Sequence, residues 1–184
     1  KNLVNNIFFF FFTGGTGAHC AIGTSSTTGW ASVTSNYNLL VSSSASTIGD
    51  YAGTTYNFAN WQTNSGKDIY SAAEETANVS ASNLFTATST GNLNINTGNT
   101  ECWYINGRAV QISGQTEDYG STSAGRSTAV TAGGSDIGSD EFTPGVNPPN
   151  ITLSGTIGLG NTQTFTFAGK TVATVTWQSG TLPT

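Results

Sequence analysis

Four carboxylates, Asp118, Asp136, Asp140 and Glu141, crowd a short stretch of sequence together with Arg126. Two chemistries use such a set. A carboxylate pair can flank a glycosidic bond as acid and base or nucleophile, and several acid oxygens can surround a calcium ion. A third use is structural: the forked donors of the Arg126 guanidinium would lock the carboxylates and fix the end of the domain. Farther upstream, lyase chemistry would need a base and cation-holding acids, and the sequence offers only Asp50, Lys67, Asp68, Glu74 and Glu75. Those fall mostly in loops.

The other reactive side chains are sparse. His19 is the sole histidine, so it cannot form half of a His pair around a metal, and no Cys or acid stands near it at ligand spacing. It follows Gly14-Gly15-Thr16-Gly17, which lacks the Lys-Ser/Thr of a phosphate loop. His19 therefore reads as an ordinary loop or coil residue. Cys20 and Cys102 form an even pair, which permits a disulfide in an oxidising compartment. Their apolar neighbours, Ala21, Ile22 and Trp103, favour two buried thiols instead. The triplets Asn78-Val79-Ser80 and Asn150-Ile151-Thr152 match the glycan acceptor pattern of a eukaryotic secretory pathway. No catalytic, cofactor-binding or metal residue is assigned from the sequence.

The elements that position these groups are strands. Only 15 of 184 residues are charged, five Lys and Arg against ten Asp and Glu, while Gly alone numbers 23. Ser, Thr, Asn and Gly take the place of Lys and Glu, which disfavours helices and suits strands joined by tight turns. Twenty aromatic residues and a net charge of only −5 mark a chain that folds. Five positive charges leave no basic footprint for a nucleic acid. The longest apolar run, from Ile7 to Phe12, is too short to span a membrane or to serve as a signal peptide. The composition is that of a β-rich extracellular protein, and the chain reads as an internal piece of a larger one.

Strand signals fall at 3–12, 33–41, 84–95, 109–112 and 137–142, with polar stretches of unequal length between them. Such spacing fits the coils of a solenoid better than a sandwich with regular turns. Asn flanks the strands at Asn5-Asn6, Asn36, Asn38, Asn94 and Asn96, and Asn tolerates the left-handed backbone of coil corners. One short, surface-packed helix is expected over 57–67, stopped at Gly66. Along the first strand Ile7, Phe9 and Phe11 alternate with Phe8, Phe10 and Phe12. A strand apolar on both faces belongs in a parallel sheet covered on both sides. The cover is either the chain's own loops or a neighbouring chain.

Composition changes at 144–149, where three prolines mark a linker. Three strand signals follow, at 151–157, 162–168 and 171–177. A three-residue loop at Ala168-Gly169-Lys170 with one bulge would put Phe165, Phe167, Ala173, Val175 and Trp177 on one face. Three strands cannot close a sandwich, so 150–184 reads as the start of a truncated module.

Several motifs converge on one family. They are Asn5-Asn6-Ile7-Phe8, the loop Tyr56 to Asp68 (YNFANWQTNSGKD), Trp103-Tyr104-Ile105-Asn106-Gly107-Arg108, Glu117-Asp118-Tyr119-Gly120, Arg126-Ser127, and the ending Asp136-Ile137-Gly138-Ser139-Asp140-Glu141-Phe142. Together they resemble the closing coils of secreted right-handed parallel β-helix proteins of the Bacteroidetes type. The family often reads Asp-Tyr-Asp-Gly where this chain has Asp118-Tyr119-Gly120-Ser121, and the missing acid weakens a calcium loop there. Enzymes of this architecture build their groove on central coils, which favours the structural lock for the acids near Arg126. The resemblance implies an all-β fold, a right-handed parallel β-helix over 1–143, and a partial β-sandwich module of immunoglobulin-like type over 150–184. It also implies a secreted or cell-surface location, commonly reached by type IX secretion.

The function expected is therefore non-catalytic: a structural or adhesive surface protein whose β-helix acts as a rigid stalk or binding surface. A polysaccharide-acting lyase or hydrolase with its groove upstream of residue 1 is the alternative. A self-assembling filament subunit is a further one. Partners expected are surface polysaccharide, neighbouring chains through the strand from Ile7 to Phe12, and the secretion or attachment machinery. Nucleic acid and a membrane span are not expected.

Overall fold

The computed structural model describes residues 1–12, 14–17, 19–115, 118–119, 134–148, 152–154, 162–167 and 170–176. Strands dominate, with few and short helices. The chain divides into two compact units, Lys1–Val146 and Asn147–Thr184.

In the first unit the strands are short and separated by sharp corners. They are β1 (Asn2–Val4), β2 (Ile7–Phe9), β3 (Ile22–Thr24), β4 (Thr34–Asn36), β5 (Leu39–Ser42), β6 (Gly49–Tyr51), β7 (Thr54–Tyr56), β8 (Ala72–Glu75), β9 (Phe85–Ala87) and β10 (Asn92–Ile95). Four parallel ladders join successive passes of the chain. β1 pairs with β4, Asn2 opposite Thr34. β2 pairs with β5 and β5 with β8, so Ile7, Leu39 and Ala72 stand in register. β3 pairs with β6, Ile22 opposite Gly49. Two antiparallel hairpins, β6–β7 and β9–β10, complete the unit's sheets.

The corners explain why two long strand signals are each broken in two. Asn5 (φ 61°) splits 3–12 into β1 and β2, and Tyr37 (φ 55°) splits 33–41 into β4 and β5. Both backbones are left-handed, a conformation Asn enters at low cost and Tyr does not. Asn5 is held there by a pair of bonds that imitates a strand partner: its Nδ2 donates to the Val110 carbonyl (2.6 Å) and its Oδ1 accepts from the Val110 amide (3.0 Å). At the second corner Asn36 Oδ1 accepts from both Tyr37 N (3.1 Å) and Tyr70 N (2.7 Å). The rings of Tyr37 and Tyr70 stack at 5.4 Å, one pass of the chain apart.

Other expectations need correction. The signal at 84–95 is a hairpin, because the segment turns at Gly91 (φ 75°). At 109–112 there is a single bridge, Ala109 to Ser135, and 137–142 forms no strand. The helix expected over 57–67 is α2 (Phe58–Ser65), started by Asn57 Oδ1 accepting from Asn60 N (2.9 Å) and ended by Gly66 at φ 67°. It is not merely surface-packed, since its Trp61 is fully buried. Two further helices, α1 (Thr27–Ala31) and α3 (Ala81–Leu84), are Ser-capped at Ser26 and Ser80. At five and four residues they are too short to leave a 3.6-residue pattern.

The sheet β2–β5–β8 sits between two apolar clusters. Leu39 and Val41 face one, with Ile7, Phe9, Leu84, Ile95, Ile105 and Ile137. Leu40 faces the other, with Phe8, Ile22, Trp30, Ile48 and Trp61. All three β5 residues are fully buried, as a parallel strand covered on both faces requires. The chain itself covers Ile7, Phe8 and Phe9. Beyond the end of β2, Phe11 and Phe12 remain exposed, at 54% and 69%.

In the second unit β11 (Thr152–Ser154), β12 (Thr162–Phe167) and β13 (Lys170–Thr176) form an antiparallel sheet in that order. Phe165 pairs with Ala173 and Gln163 with Val175, but Phe167 pairs with Lys170. The extra residue therefore falls at Val172, inside β13, and not in the turn, as the three-residue loop had required. Ala168, Gly169 and Trp177 lie outside the described residues. The expected linker 144–149 is partly attached to the first unit. Gly145 N donates to Thr97 O (2.9 Å) and Trp103 Nε1 to Val146 O (3.1 Å).

The closest approach in the core is that of α2 to β6. A Cβ on Gly49 would lie 2.3 and 2.5 Å from two ring carbons of Trp61. Gly49→Ala should therefore cost about 1–3 kcal/mol or more through overpacking. Urea denaturation checks this, with the midpoint falling and the slope unchanged.

Candidate functional site

Asp68 is fully buried and heavily hydrogen-bonded. Its backbone is left-handed (φ 58°) and its amide donates to Ser35 O (2.9 Å). Ser35 Oγ lies 3.0 Å from both carboxylate oxygens. Asn38 Nδ2 (3.0 Å) and Ser71 Oγ (2.7 Å) donate to Oδ1, and Trp61 Nε1 (2.9 Å) donates to Oδ2. Four neutral side chains thus replace the water that burial removes. A buried carboxylate without such partners would cost several kcal/mol.

Asn38 carries the network on to the neighbouring passes. Asn38 Nδ2 also donates to Leu3 O (2.9 Å), and Asn38 Oδ1 accepts from Asn6 N (2.9 Å). Asn38 N in turn donates to Ser71 Oγ (2.9 Å). Gln62 Nε2 donates to Asp68 O (2.8 Å), closing α2 onto the loop that follows it. The stretch Trp61-Gln62 to Gly66-Lys67-Asp68 is therefore a structural lock: indole and amide donors, a left-handed stop, and the acid they hold. Asp68 is unsuited to serve as a catalytic acid or base. Its oxygens are already engaged by donors of the protein itself.

The acids near the end of the first unit are used in a similar way. Asp136 Oδ1 accepts from Gly107 N (2.5 Å) and its Oδ2 from Phe142 N (2.9 Å). Asp140 Oδ2 accepts from Ile95 N (2.6 Å), Asp118 Oδ1 from Glu141 N (2.6 Å), and Glu141 Oε2 from Asp136 N (3.2 Å). These bonds satisfy main-chain donors in a segment that has no ladder to satisfy them. Arg126, the expected centre of this lock, and Glu117 lie outside the described residues. The structure does bring Asp118, Asp136, Asp140 and Glu141 together, by way of backbone amides.

The remaining sequence candidates are dispersed. Asp50 Oδ1 accepts from Gly53 N (3.0 Å) in the β6–β7 turn. Glu74 Oε2 accepts from Asn78 Nδ2 (3.2 Å) and Glu75 Oε1 from Ala45 N (3.3 Å). Lys67 is half-buried beside Asp68, its amide on Ser65 Oγ. His19 Nδ1 donates to Phe12 O (2.9 Å), with its ring edge-on to Phe10 at 5.4 Å. Cys20 and Cys102 are free thiols, and burial is the main cause raising the pKa of each. Among the described residues no group of three His, Cys, Asp or Glu side chains could hold a metal. No described helix is long and apolar enough to cross a membrane. In the first glycan triplet Val79 is fully buried and Ser80 caps α3; of the second, Asn150 and Ile151 lie outside the described residues.

Sequence reasoning missed Glu101, whose oxygens accept from Ser80 N (2.9 Å) and Asn83 Nδ2 (2.8 Å). It also missed the lock around Asp68. One signal was available: Ser35 and Asn38 recur 33 residues later as Asp68 and Ser71, polar pairs with the same three-residue spacing.

One concave feature adjoins the locks of the first corner and the closing acids. A cleft of about 560 Å³ opens between the corner after β1 and the segments around Leu93, Ile112 and Ser139. Its walls are mostly apolar, with Asp118 and Asp140 among the polar groups.

Two predictions come from these geometries. Asp68→Asn puts two amide hydrogens among donors and should cost about 2–3 kcal/mol. Trp61→Phe should cost less on the same network, and the double variant should fall short of additivity because both changes break one network. Denaturant titration of the two single variants and the double variant checks this. Burial, with Glu74 and Glu101 nearby and Arg108 opposing, pushes the Tyr104 phenol up to about 12. The unfolded phenol ionises near 10. The folded state therefore keeps its full stability below pH 10 and loses this contribution between pH 10 and about 12. A thermal melt series should show the alkaline loss reduced in Tyr104→Phe.

No family model, curated protein or solved structure matches the chain, so its function is argued from its geometry.

Proposed function

We propose that residues 1–143 belong to a right-handed parallel β-helix and that the chain is a non-catalytic scaffold of a secreted or cell-surface protein. In this reading successive passes are the rungs of a rigid stalk or adhesive surface. One observation carries it: Ile7, Leu39 and Ala72 stand in parallel register, and the polar side chains beside them stitch one pass to the next. The acids support the same reading, because Asp68, Asp136, Asp140 and Glu101 hold loops and corners by accepting hydrogen bonds. An exposed face rich in Ser, Thr and Asn, with few charges, suits neutral contact with surface polysaccharide.

A second reading, association between copies, is favoured by Phe11 and Phe12, which remain exposed at the end of β2. Exposed aromatic pairs on a strand extension invite pairing with another chain.

Incubation with acidic polysaccharides tests the scaffold reading directly. The chain should leave the polymer unshortened. The appearance of unsaturated ends or new reducing ends would overturn the non-catalytic assignment in favour of a polysaccharide-acting enzyme.

A further inference from the structure

Asn106-Gly107 is the only Asn-Gly step in the 184 residues, and such a step invites a spontaneous reaction. Once the Gly107 amide nitrogen loses its proton to a solvent hydroxide, it can attack the side-chain carbonyl carbon of Asn106. An N–Cγ bond forms, the Cγ–Nδ2 bond breaks, and ammonia leaves with a proton taken from water. Water then opens the resulting succinimide at either carbonyl, leaving aspartate or isoaspartate at position 106. A following glycine favours the attack, because no Cβ crowds the nitrogen or restricts its backbone.

The fold works against this chemistry. Gly107 N donates to Asp136 Oδ1 at 2.5 Å. Asp136 is 2% exposed; its Oδ2 accepts from Phe142 N (2.9 Å), and its own amide donates to Glu141 Oε2 (3.2 Å). Amide donors on both oxygens favour the charged form of the acid. A fixed negative charge at hydrogen-bond distance disfavours a second one on the nitrogen, and the attacking species is that nitrogen anion. The backbone is also clamped on both sides. Asn106 N donates to Cys102 O (3.1 Å), and a Cβ on Gly134 would stand 3.2 Å from Gly107 O.

We propose that Asn106 is a latent deamidation site guarded by Asp136: conversion waits on local opening that takes Gly107 N off the carboxylate. The conversion is one-way, since isoaspartate inserts a methylene into the main chain ahead of Gly107 and carries its nitrogen away from the acceptor. The proposal requires neither stacked rungs nor a scaffold role.

The test follows position 106 by peptide mass mapping of the full chain held in mildly alkaline buffer, with and without denaturing guanidinium chloride. The folded chain should convert at least about tenfold more slowly than the unfolded one, the factor a charge-assisted hydrogen bond confers. Asp136→Asn keeps an oxygen for Gly107 N but no charge, and while folded it should convert about tenfold faster than the native chain. That variant also sets an amide group against Phe142 N, so a measurement on the native chain stands beside it. Deamidation should be slowed at least as much as hydrogen exchange of the Gly107 amide, as reaction through open states demands. Equal rates in folded and unfolded chain, a folded Asp136→Asn variant no faster than native, or a slowing smaller than the amide protection would overturn the proposal.

Discussion

The first unit depends on how a buried carboxylate is kept dry. Asp68 sits where the chain leaves α2 and begins its next parallel pass, and its oxygens collect donors from Ser35, Asn38, Trp61 and Ser71. Hydrophobic burial alone would leave the relative slide of the passes poorly defined, because Leu, Val and Ala pack acceptably at more than one offset. The carboxylate removes that freedom. A slip of one residue would strand several buried donors, at about 1–3 kcal/mol each. Register is thus set by polar groups, while most of the favourable free energy comes from the two apolar clusters.

The same logic orders the corners. A parallel sheet needs its chain to turn sharply and come back, and each turn exposes amides that no ladder satisfies. Asn5, Asn36 and Asn38 fill that role with short amide side chains that both donate and accept. Tyr37 adopts a left-handed backbone, which Tyr disfavours, and the strain is offset by the Asn36 bond and the stack on Tyr70. The corners repeat because the ladders fix their spacing, so a polar residue at one corner finds a partner at the next.

Part of this was legible in the sequence. The alternation of the Phe run announces a strand covered on both faces, and the structure covers Ile7, Phe8 and Phe9 that way. Asn57 and Gly66 mark the ends of α2 because capping chemistry is local. What escaped was non-local. A continuous apolar run such as 3–12 does not disclose a corner at Asn5, whose left-handed backbone is held by Val110, 105 residues away. The signal at 137–142 looked like a strand because Ile137 and Phe142 are apolar. Its amides instead meet carboxylates, as Phe142 N meets Asp136 Oδ2, and sequence spacing cannot distinguish a ladder partner from an acid. The acids themselves were read in the right company, but their bonds to backbone amides were not foreseen, because a carboxylate accepts as readily from a backbone amide as from a guanidinium.

The low charge of the chain follows from this use of its acids. In an ordinary domain the carboxylates lie on the surface and serve solubility. Here Asp68 and Asp136 are almost fully buried, and Asp118, Asp140 and Glu101 have oxygens committed to the protein's own amides. Acids arranged in that way are poorly placed for proton transfer, since a group that must change charge during turnover would release the main chain it holds. Asp118 Oδ2 departs from the pattern, with one oxygen fulfilling the structural duty and the other left over.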